Sequence, residues 1–241
     1  GNDTITAGAG ADVIYAGEGD DVITGGEGDD VIDAGPGNDR AAGGAGDDYY
    51  YYYRGYGSLA IDDLAEPGGG NTLYLDGISP NDITLSAANG ELVLRVANDG
   101  GEIRLSNFNP ADPYASHAVE RYEFSDGTVL TYDELLQLGL NLAGTESSEF
   151  LVGAGGDDTI TGDGGDDLIA GGWGNDALEG GLGSDTYVIN IGDSEDILTD
   201  RETFLDQNVI QFGPGIDSSQ VRVWVEAGDT LRLYNISPTF V

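Results

Sequence analysis

The residues of this chain that could do chemistry are aspartates, and they come at a fixed interval. In the first forty-eight residues aspartate returns every nine positions, at Asp3, Asp12, Asp21, Asp30, Asp39 and Asp48. A second series, Asp158, Asp167, Asp176 and Asp185, is led by Glu149 where an aspartate would stand. Carboxylates stacked on one another repel unless something cationic sits between them. Oxygen-only ligands in a flexible, many-donor arrangement suit a hard cation, and favour Ca²⁺ over Mg²⁺. Other chemistry finds little to work with. One histidine, His117, cannot build a multi-histidine metal site, and its loop-like setting reads as structural rather than catalytic. All eight basic residues are arginine, so there is neither a P-loop lysine nor a Schiff-base lysine. No GxSxG elbow is present. Paired carboxylates recur throughout and have a structural reason to exist, so they do not mark a glycosidase. The chain is therefore read as non-enzymatic.

The elements that must position these aspartates follow from the same period. Written in rows of nine, the opening reads AGAGADVIY, AGEGDDVIT, GGEGDDVID, AGPGNDRAA, with glycine two residues before each aspartate. The Gly-rich six residues of a row predict a tight turn, because glycine tolerates positive φ and close backbone approach. The three that follow, such as Val13-Ile14-Tyr15, are β-branched or aromatic and predict a short strand. One side chain of each three faces inward: Ile5, Ile14, Ile23, Ile32, Ala41 and Tyr50, then Leu151, Ile160, Ile169, Leu178 and Tyr187. A turn and a strand make half a coil, so eighteen residues close one coil of a solenoid. Asp3, Asp21 and Asp39 then stack along one edge, and Asp12, Asp30 and Asp48 along the other.

The pattern resembles the RTX (repeats-in-toxin) family and its GGxGxDxUx nonapeptide. That resemblance implies a calcium-binding parallel β-roll with ions between consecutive turns. The ligands would be the ten aspartates named above and backbone carbonyls, at Gly10, Gly19, Gly28, Gly37, Gly46, Gly156, Gly165, Gly174 and Gly183. About seven ions are expected from the stacked turns. The family also implies export by a one-step (type I) secretion channel that reads a C-terminal signal, here beyond Val241, and hence a secreted or cell-surface location. In the second series Glu149 has no glycine two before it and predicts a cap row with a weak site or none. Asp163 replaces a turn glycine and predicts local strain.

Between the two series the period changes. Tyr49 to Tyr53 continue the strand phase, with Tyr50 and Tyr52 inward and Tyr49, Tyr51 and Tyr53 outward. These outward rings read either as part of a capping strand or as an aromatic platform for a sugar or protein partner. From Ser58 to Leu140, alternating apolar runs are separated by Asn89-Gly90, Asp99-Gly100 and Asp126-Gly127, which predicts antiparallel hairpins. Thr131-Tyr-Asp-Glu134 is a capping-box signature for a short helix running through Leu138 and stopping at Gly139. This segment resembles the haemolysin-type calcium-binding-related domain, through Asp76-Gly-Ile-Ser-Pro80, Glu91-Leu-Val-Leu94 and Val119 to Thr128. A longer repeat spans the whole chain. Asp48 matches Asp185 and Asn71-Thr-Leu73 matches Asn208-Val-Ile210 at an offset of 137, while Gly77-Ile78 matches Gly215-Ile216 and Gly90-Glu91 matches Gly228-Asp229 at 138. The second copy breaks off before its counterparts of Val119 to Leu138, as a piece of a longer protein would.

The expected fold is all-β: parallel β-roll solenoids alternating with antiparallel hairpins, plus one short helix. The expected division is a first roll with its tyrosine strand (1–57), a hairpin domain (58–141), a second roll (142–190) and an incomplete second hairpin domain (191–241). A net charge of −37, from 45 acidic against 8 basic residues, disfavours nucleic acid and anionic membranes as partners. No run of eighteen apolar residues is present, so no membrane-inserting span is expected. There is no cysteine, and bound metal can supply the cross-links that disulfides give other secreted proteins. The expected function is a calcium module that stays open where calcium is scarce and folds where it is plentiful. The alternative is an adhesion segment of a surface protein or toxin that binds a glycan or protein. Trp173, in a roll turn, and Trp224, in the second hairpin part, are natural reporters of folding.

Overall fold

The computed structural model describes residues 1–63, 70–190, 192–200 and 206–216, together with the backbone of Val221–Glu226 and Thr230–Asn235. The Trp224 side chain and the Gly228-Asp229 pair lie outside the described residues. The chain forms two compact units, one of Gly1–Asn109 with Tyr114–Leu135, the other of Pro110–Pro113 with Leu136–Val241. Both are built almost wholly of strands.

In the first unit the nonapeptide rows give β1 (Thr4–Ala9), β2 (Val13–Tyr15), β3 (Val22–Glu27), β4 (Val31–Asp33), β5 (Gly37–Ala45) and β6 (Tyr49–Tyr53), followed by β7 (Gly57–Ile61) and β8 (Thr72–Asp76). Odd strands form one parallel sheet and even strands the other. The register steps by one coil of eighteen residues, with Ile5 beside Ile23 beside Ala41 and Ile14 beside Ile32 beside Tyr50. Between the sheets lies a core one side chain deep on each face, where Ile23, Ile32, Ala41 and Tyr50 are at most 1% exposed. Each buried isoleucine contributes roughly 1.5–3 kcal/mol by leaving water, so the core is thin for the length of backbone it must order.

After the last full row the coil widens. Ala41 pairs with Ile61, twenty residues on, and Tyr50 with Leu73, twenty-three on. Then comes the predicted antiparallel meander, β9 (Ile83–Ala88), β10 (Glu91–Val96) and β11 (Glu102–Leu105), with Asn89 and Gly90 both at positive φ in its first turn. β11 returns alongside β7 in parallel, so the meander extends the odd-strand sheet. The even sheet is extended by β12 (Arg121–Phe124) and β13 (Val129–Thr131). The capping box forms as expected, with Thr131 N donating to Glu134 Oε2 at 2.9 Å and Glu134 N to Thr131 Oγ1 at 3.3 Å. The helix it opens, α1 (Tyr132–Leu136), is two residues shorter than predicted. Gly139, at φ +88°, already donates to the Leu136 carbonyl and turns the chain away, leaving Leu138 exposed.

The second unit repeats this plan with β14 (Leu140–Ala143), β15 (Phe150–Val152), β16 (Thr159–Thr161), β17 (Leu168–Ala170), β18 (Ala177–Glu179), β19 (Thr186–Ile189), β20 (Glu195–Thr199), β21 (Val209–Phe212), β22 (Val221–Glu226) and β23 (Thr230–Asn235). Here the numbering parity is reversed: the counterpart of the first unit's odd edge carries Asp158 and Asp176, ahead of β16 and β18, and the counterpart of its even edge carries Glu149, Asp167 and Asp185. The same widening appears at the same place: Leu178 pairs with Leu198, twenty residues on, and Tyr187 with Ile210, twenty-three on. The units differ in one pairing: β23 pairs antiparallel with β20 directly, whereas in the first unit β11 stands between β7 and β10.

The second residue of a row shows why glycine dominates the turns. Gly26 has φ +128°, and a Cβ there would collide with the Gly8 carbonyl oxygen of the preceding coil. Asp163 holds the same row position at φ +71°, confirming the strain expected of it. Gly26→Ala is expected to destabilise the calcium-loaded chain by about 2 kcal/mol or more, and Asp163→Gly to stabilise it by about 1 kcal/mol. Thermal melts in calcium buffer measure both, with Gly70→Ala, which meets open space at ordinary φ, as the neutral reference.

Candidate metal centre

Each row aspartate is presented by the turn before its strand, and the eighteen-residue coil brings it over the aspartate of the coil below. The contact is a repeated hydrogen bond in which the lower aspartate's amide donates to the upper one's Oδ1. Asp3 N donates to Asp21, and Asp21 N to Asp39, at 2.7 and 2.9 Å. Asp12 N donates to Asp30, and Asp30 N to Asp48, both at 2.8 Å. In the second unit Asp158 N donates to Asp176 and Asp167 N to Asp185, both at 2.9 Å. The two edges predicted from the sequence are therefore the edges observed.

The other carboxylate oxygen decides what the site can hold. Oδ2 of Asp21, Asp30, Asp48, Asp167, Asp176 and Asp185 is buried without a hydrogen-bond partner. A buried carboxylate oxygen left without a donor or cation is costly. None of the described arginine ion pairs reaches a row aspartate. Each of these oxygens also folds back against the first glycine of its own row where that residue is glycine: a Cβ at Gly25, Gly43, Gly162, Gly171 or Gly180 would run into the Oδ2 of its own row. The donor set is all oxygen, it is anionic, and a glycine-lined turn surrounds it, which fits a calcium ion. Among the described residues no three carboxylate or imidazole side chains form a metal-holding group by themselves, so carbonyl donors are needed to complete a coordination shell.

Not every predicted residue sits alike. Asp3 is exposed and Asp12 only half-buried. Asp158 spends Oδ2 on the amide of Ala154 at 2.6 Å. Glu149 keeps the rung, its amide donating to Asp167 Oδ1 at 2.8 Å, but both its own oxygens are taken by Thr145. The predicted carbonyl-bearing glycines line the turns: Gly10, Gly19, Gly28 and Gly37 donate their amides to the coil above, at Glu27, Pro36, Ala45 and Tyr56, and Gly165 does so to Leu182. Gly37, Gly46, Gly174 and Gly183 pack so closely on Gly19, Gly28, Gly156 and Gly165 that a Cβ would strike the lower carbonyl.

Several partners went unnoticed in the sequence. Each even-edge ladder ends on a neutral side chain, with Asp48 N donating to Asn71 Oδ1 and Asp185 N to Asn208 Oδ1, both at 2.8 Å. The 137-residue correspondence that paired these asparagines was the signal. The last inward residue of each roll is a tyrosine whose hydroxyl meets a second-tier aspartate. Tyr50 donates to Asp63 and accepts from Gly43 N, while Tyr187 donates to Asp200 at 2.9 Å and accepts from Gly180 N at 2.7 Å. The outward tyrosines Tyr49, Tyr51 and Tyr53 are half-buried and pack on one another and on Tyr74 and Tyr56. Tyr49 also donates to Glu123 at 2.7 Å. His117 is half-buried rather than on the surface: its ring stacks on Tyr132 at 4.1 Å and burial holds its pKa down.

The comparisons agree with this geometry. Residues 1–32, 24–59 and 144–187 match the RTX calcium-binding nonapeptide repeat (4 copies), and residues 91–134 match the haemolysin-type calcium binding protein related domain. The chain thus carries RTX calcium-binding repeats, a structural calcium-binding module, in two blocks. Among solved structures it is similar to the extracellular lipase LipA from Serratia marcescens at 16% identity and a TM-score of 0.26, covering 96% of this chain and 37% of the lipase. The chain thus spans little more than a third of that protein's length. No curated protein matches it.

Burial pushes several row aspartates above the usual carboxylate range, Asp48 and Asp176 to about 6 and Asp158 to about 7. A carboxyl raised on folding binds its proton more tightly in the folded state, so it opposes folding as pH rises from about 3.8 through 6–7. In calcium-free buffer the chain is expected to gain β structure on acidification from pH 8 to pH 4.5, followed by far-UV circular dichroism. Saturating calcium should reverse the trend, because the ion competes with those protons. Tyr50→Phe and Tyr187→Phe should each cost roughly 0.5–1.5 kcal/mol by removing the hydroxyl's bonds to an aspartate and a glycine amide, read from calcium-loaded melts.

Proposed function

We propose that this chain is a calcium-responsive folding module of a secreted extracellular protein. It would leave the cell through a one-step channel that recognises a C-terminal signal, and fold into two β-rolls once outside. The supporting observation is the set of buried, donorless Oδ2 oxygens stacked along the coil edges. Without cations those carboxylates sit in a thin core under a net charge of −37, and repulsion favours the open chain. With cations bound between turns, binding free energy becomes folding free energy.

In this reading the residues that hold the ions are Asp21, Asp30, Asp39, Asp48, Asp167, Asp176 and Asp185, with weaker roles for Asp3, Asp12 and Asp158. Carbonyls of the row glycines complete the shell. About seven ions bind, each in the range ~10⁻⁴–10⁻³ M typical of extracellular modules. The chain would divide functionally as roll (1–57), hairpin domain (58–141), roll (142–190) and hairpin domain (191–241). Its partners are calcium and the export machinery.

A second reading, contact with a glycan or protein, is favoured by one arrangement on the outer face of the even sheet. There Tyr15, 74% exposed, continues through Asp33 to the packed pair Tyr51 and Tyr74. A glycan array comparing the folded chain with Tyr15→Ala and Tyr51→Ala tests it, and equal signals from all three would dismiss it.

The primary reading predicts that chelation abolishes most β structure at pH 7.5 and that calcium restores it steeply. It also predicts that Asp30→Asn moves the calcium midpoint upward by roughly tenfold, since one of two stacked charges is lost. A far-UV spectrum unchanged by excess chelator would refute the proposal.

A further inference from the structure

The odd-edge ladder of the second unit does not stop where the nonapeptide stops. Its amide-to-carboxylate rungs continue one step further, with Asp176 N donating to Asp196 Oδ1 at 3.1 Å. Asp196 lies twenty residues on, outside the matched repeats, in the segment Gly192-Asp-Ser-Glu-Asp196. The next inward residue but one, Leu198, fills the core position at 4% exposure and pairs with Leu178. The turn rests on the row below it through Ser194 N to the Gly174 carbonyl at 3.1 Å and Glu195 N to Asn175 Oδ1 at 3.2 Å. Residues 192–199 therefore continue the row pattern one step beyond the readable repeats, with Ser194 at the fourth position as Ser147 is in the Glu149 row.

This row gathers negative charge. Asp176, Asp193 and Asp196 are 1%, 4% and 2% exposed. The Asp176 and Asp196 carboxyls lie within hydrogen-bonding reach of one another, and Asp193 adds its field to both. Asp193 occupies the third row position, which in the first roll holds Ala9, Glu18, Glu27, Pro36 and Ala45, all of them exposed. The Oδ2 of Asp176 has no donor, and no described ion pair involves any of the three. Two buried carboxylates cannot stay in contact without a cation or a shared proton between them. The corresponding position in the first unit is Leu59, buried at 3%, where the odd-edge ladder simply ends at Asp39.

We infer that the turn Gly192–Asp196 forms an additional divalent-cation site with Asp176. Asp196 and Asp176 bridge the ion, the turn carbonyls complete it, and Asp193 supplies a third charge close by. The second roll therefore holds one ion more than its readable repeats would give, and the first roll has no equivalent. The inference rests on the reading that calcium occupies the aspartate ladders.

The test counts ions. The 241-residue chain, Asp193→Asn and Asp196→Asn are saturated with calcium and measured by native mass spectrometry, with calorimetry as a second count. Each variant is expected to hold one ion fewer than the parent. Asp193→Asn keeps an oxygen for the 2.6 Å hydrogen bond from Asn190 N, so the fold is preserved in that variant even if Asp196→Asn disturbs β20. A parent chain that binds calcium, with Asp193→Asn holding the same number at unchanged affinity, overturns the additional site while leaving the general calcium reading intact. That is also the outcome a shared proton gives. A parent chain that binds none overturns both.

Discussion

The structure turns on a single contact made over and over: a backbone amide in one coil bonded to a carboxylate oxygen from the next. It fixes the eighteen-residue pitch, because only at that spacing does each aspartate fall over the one below. It also creates the electrostatic problem that the rest of the molecule must answer. The bond uses one oxygen of a carboxylate, and in Asp21, Asp30, Asp48, Asp167, Asp176 and Asp185 the second is left buried without a hydrogen-bond partner. Glycines such as Gly25, Gly26 and Gly46 are the steric price of that packing, since a Cβ at each would enter the carboxylate of its own row or the carbonyl of an adjoining turn.

Much of this could be read from the order of residues. The nine-residue period determined the sheet pairing, the inward positions from Ile14 to Tyr50, and both aspartate edges, because a repeat this strict leaves one register that buries isoleucine and stacks aspartate. Asparagine–glycine at 89–90 specified a hairpin for the same reason, having the two residues most tolerant of positive φ. The less legible parts are those where the period slips. The coil widens from eighteen to twenty and then to twenty-three residues at the end of each roll, so Asn71, Asn208 and Asp196, which finish the ladders, and Asp63 and Asp200, which meet the last inward tyrosines, fall off the nine-residue grid. Their roles depend on how many residues a turn can absorb without moving its neighbours, which spacing alone does not specify. The short helix ended early for a local reason, the left-handed Gly139, whose effect on the preceding turn outweighed the helix-forming Gln137 and Leu138.

The two rolls share architecture and differ in how their ladders close. In both, a tyrosine hydroxyl bonded to a glycine amide and a second-tier aspartate occupies the last inward position, placing a hydrogen bond to a carboxylate where earlier rows present isoleucine. On the odd edge the first roll closes with leucine and the second with another aspartate. A hydrocarbon terminus removes the next carboxylate from the stack, whereas an acidic one prolongs it, so similar scaffolds carry unequal charge at their ends.

Asn71 and Asn208 have a wider implication. An asparagine presents the same acceptor oxygen to the amide beneath it as aspartate does, yet carries no charge. Each even-edge ladder therefore ends on an uncharged acceptor. The final rung thus keeps the amide-to-oxygen contact while adding no further anion to the stack.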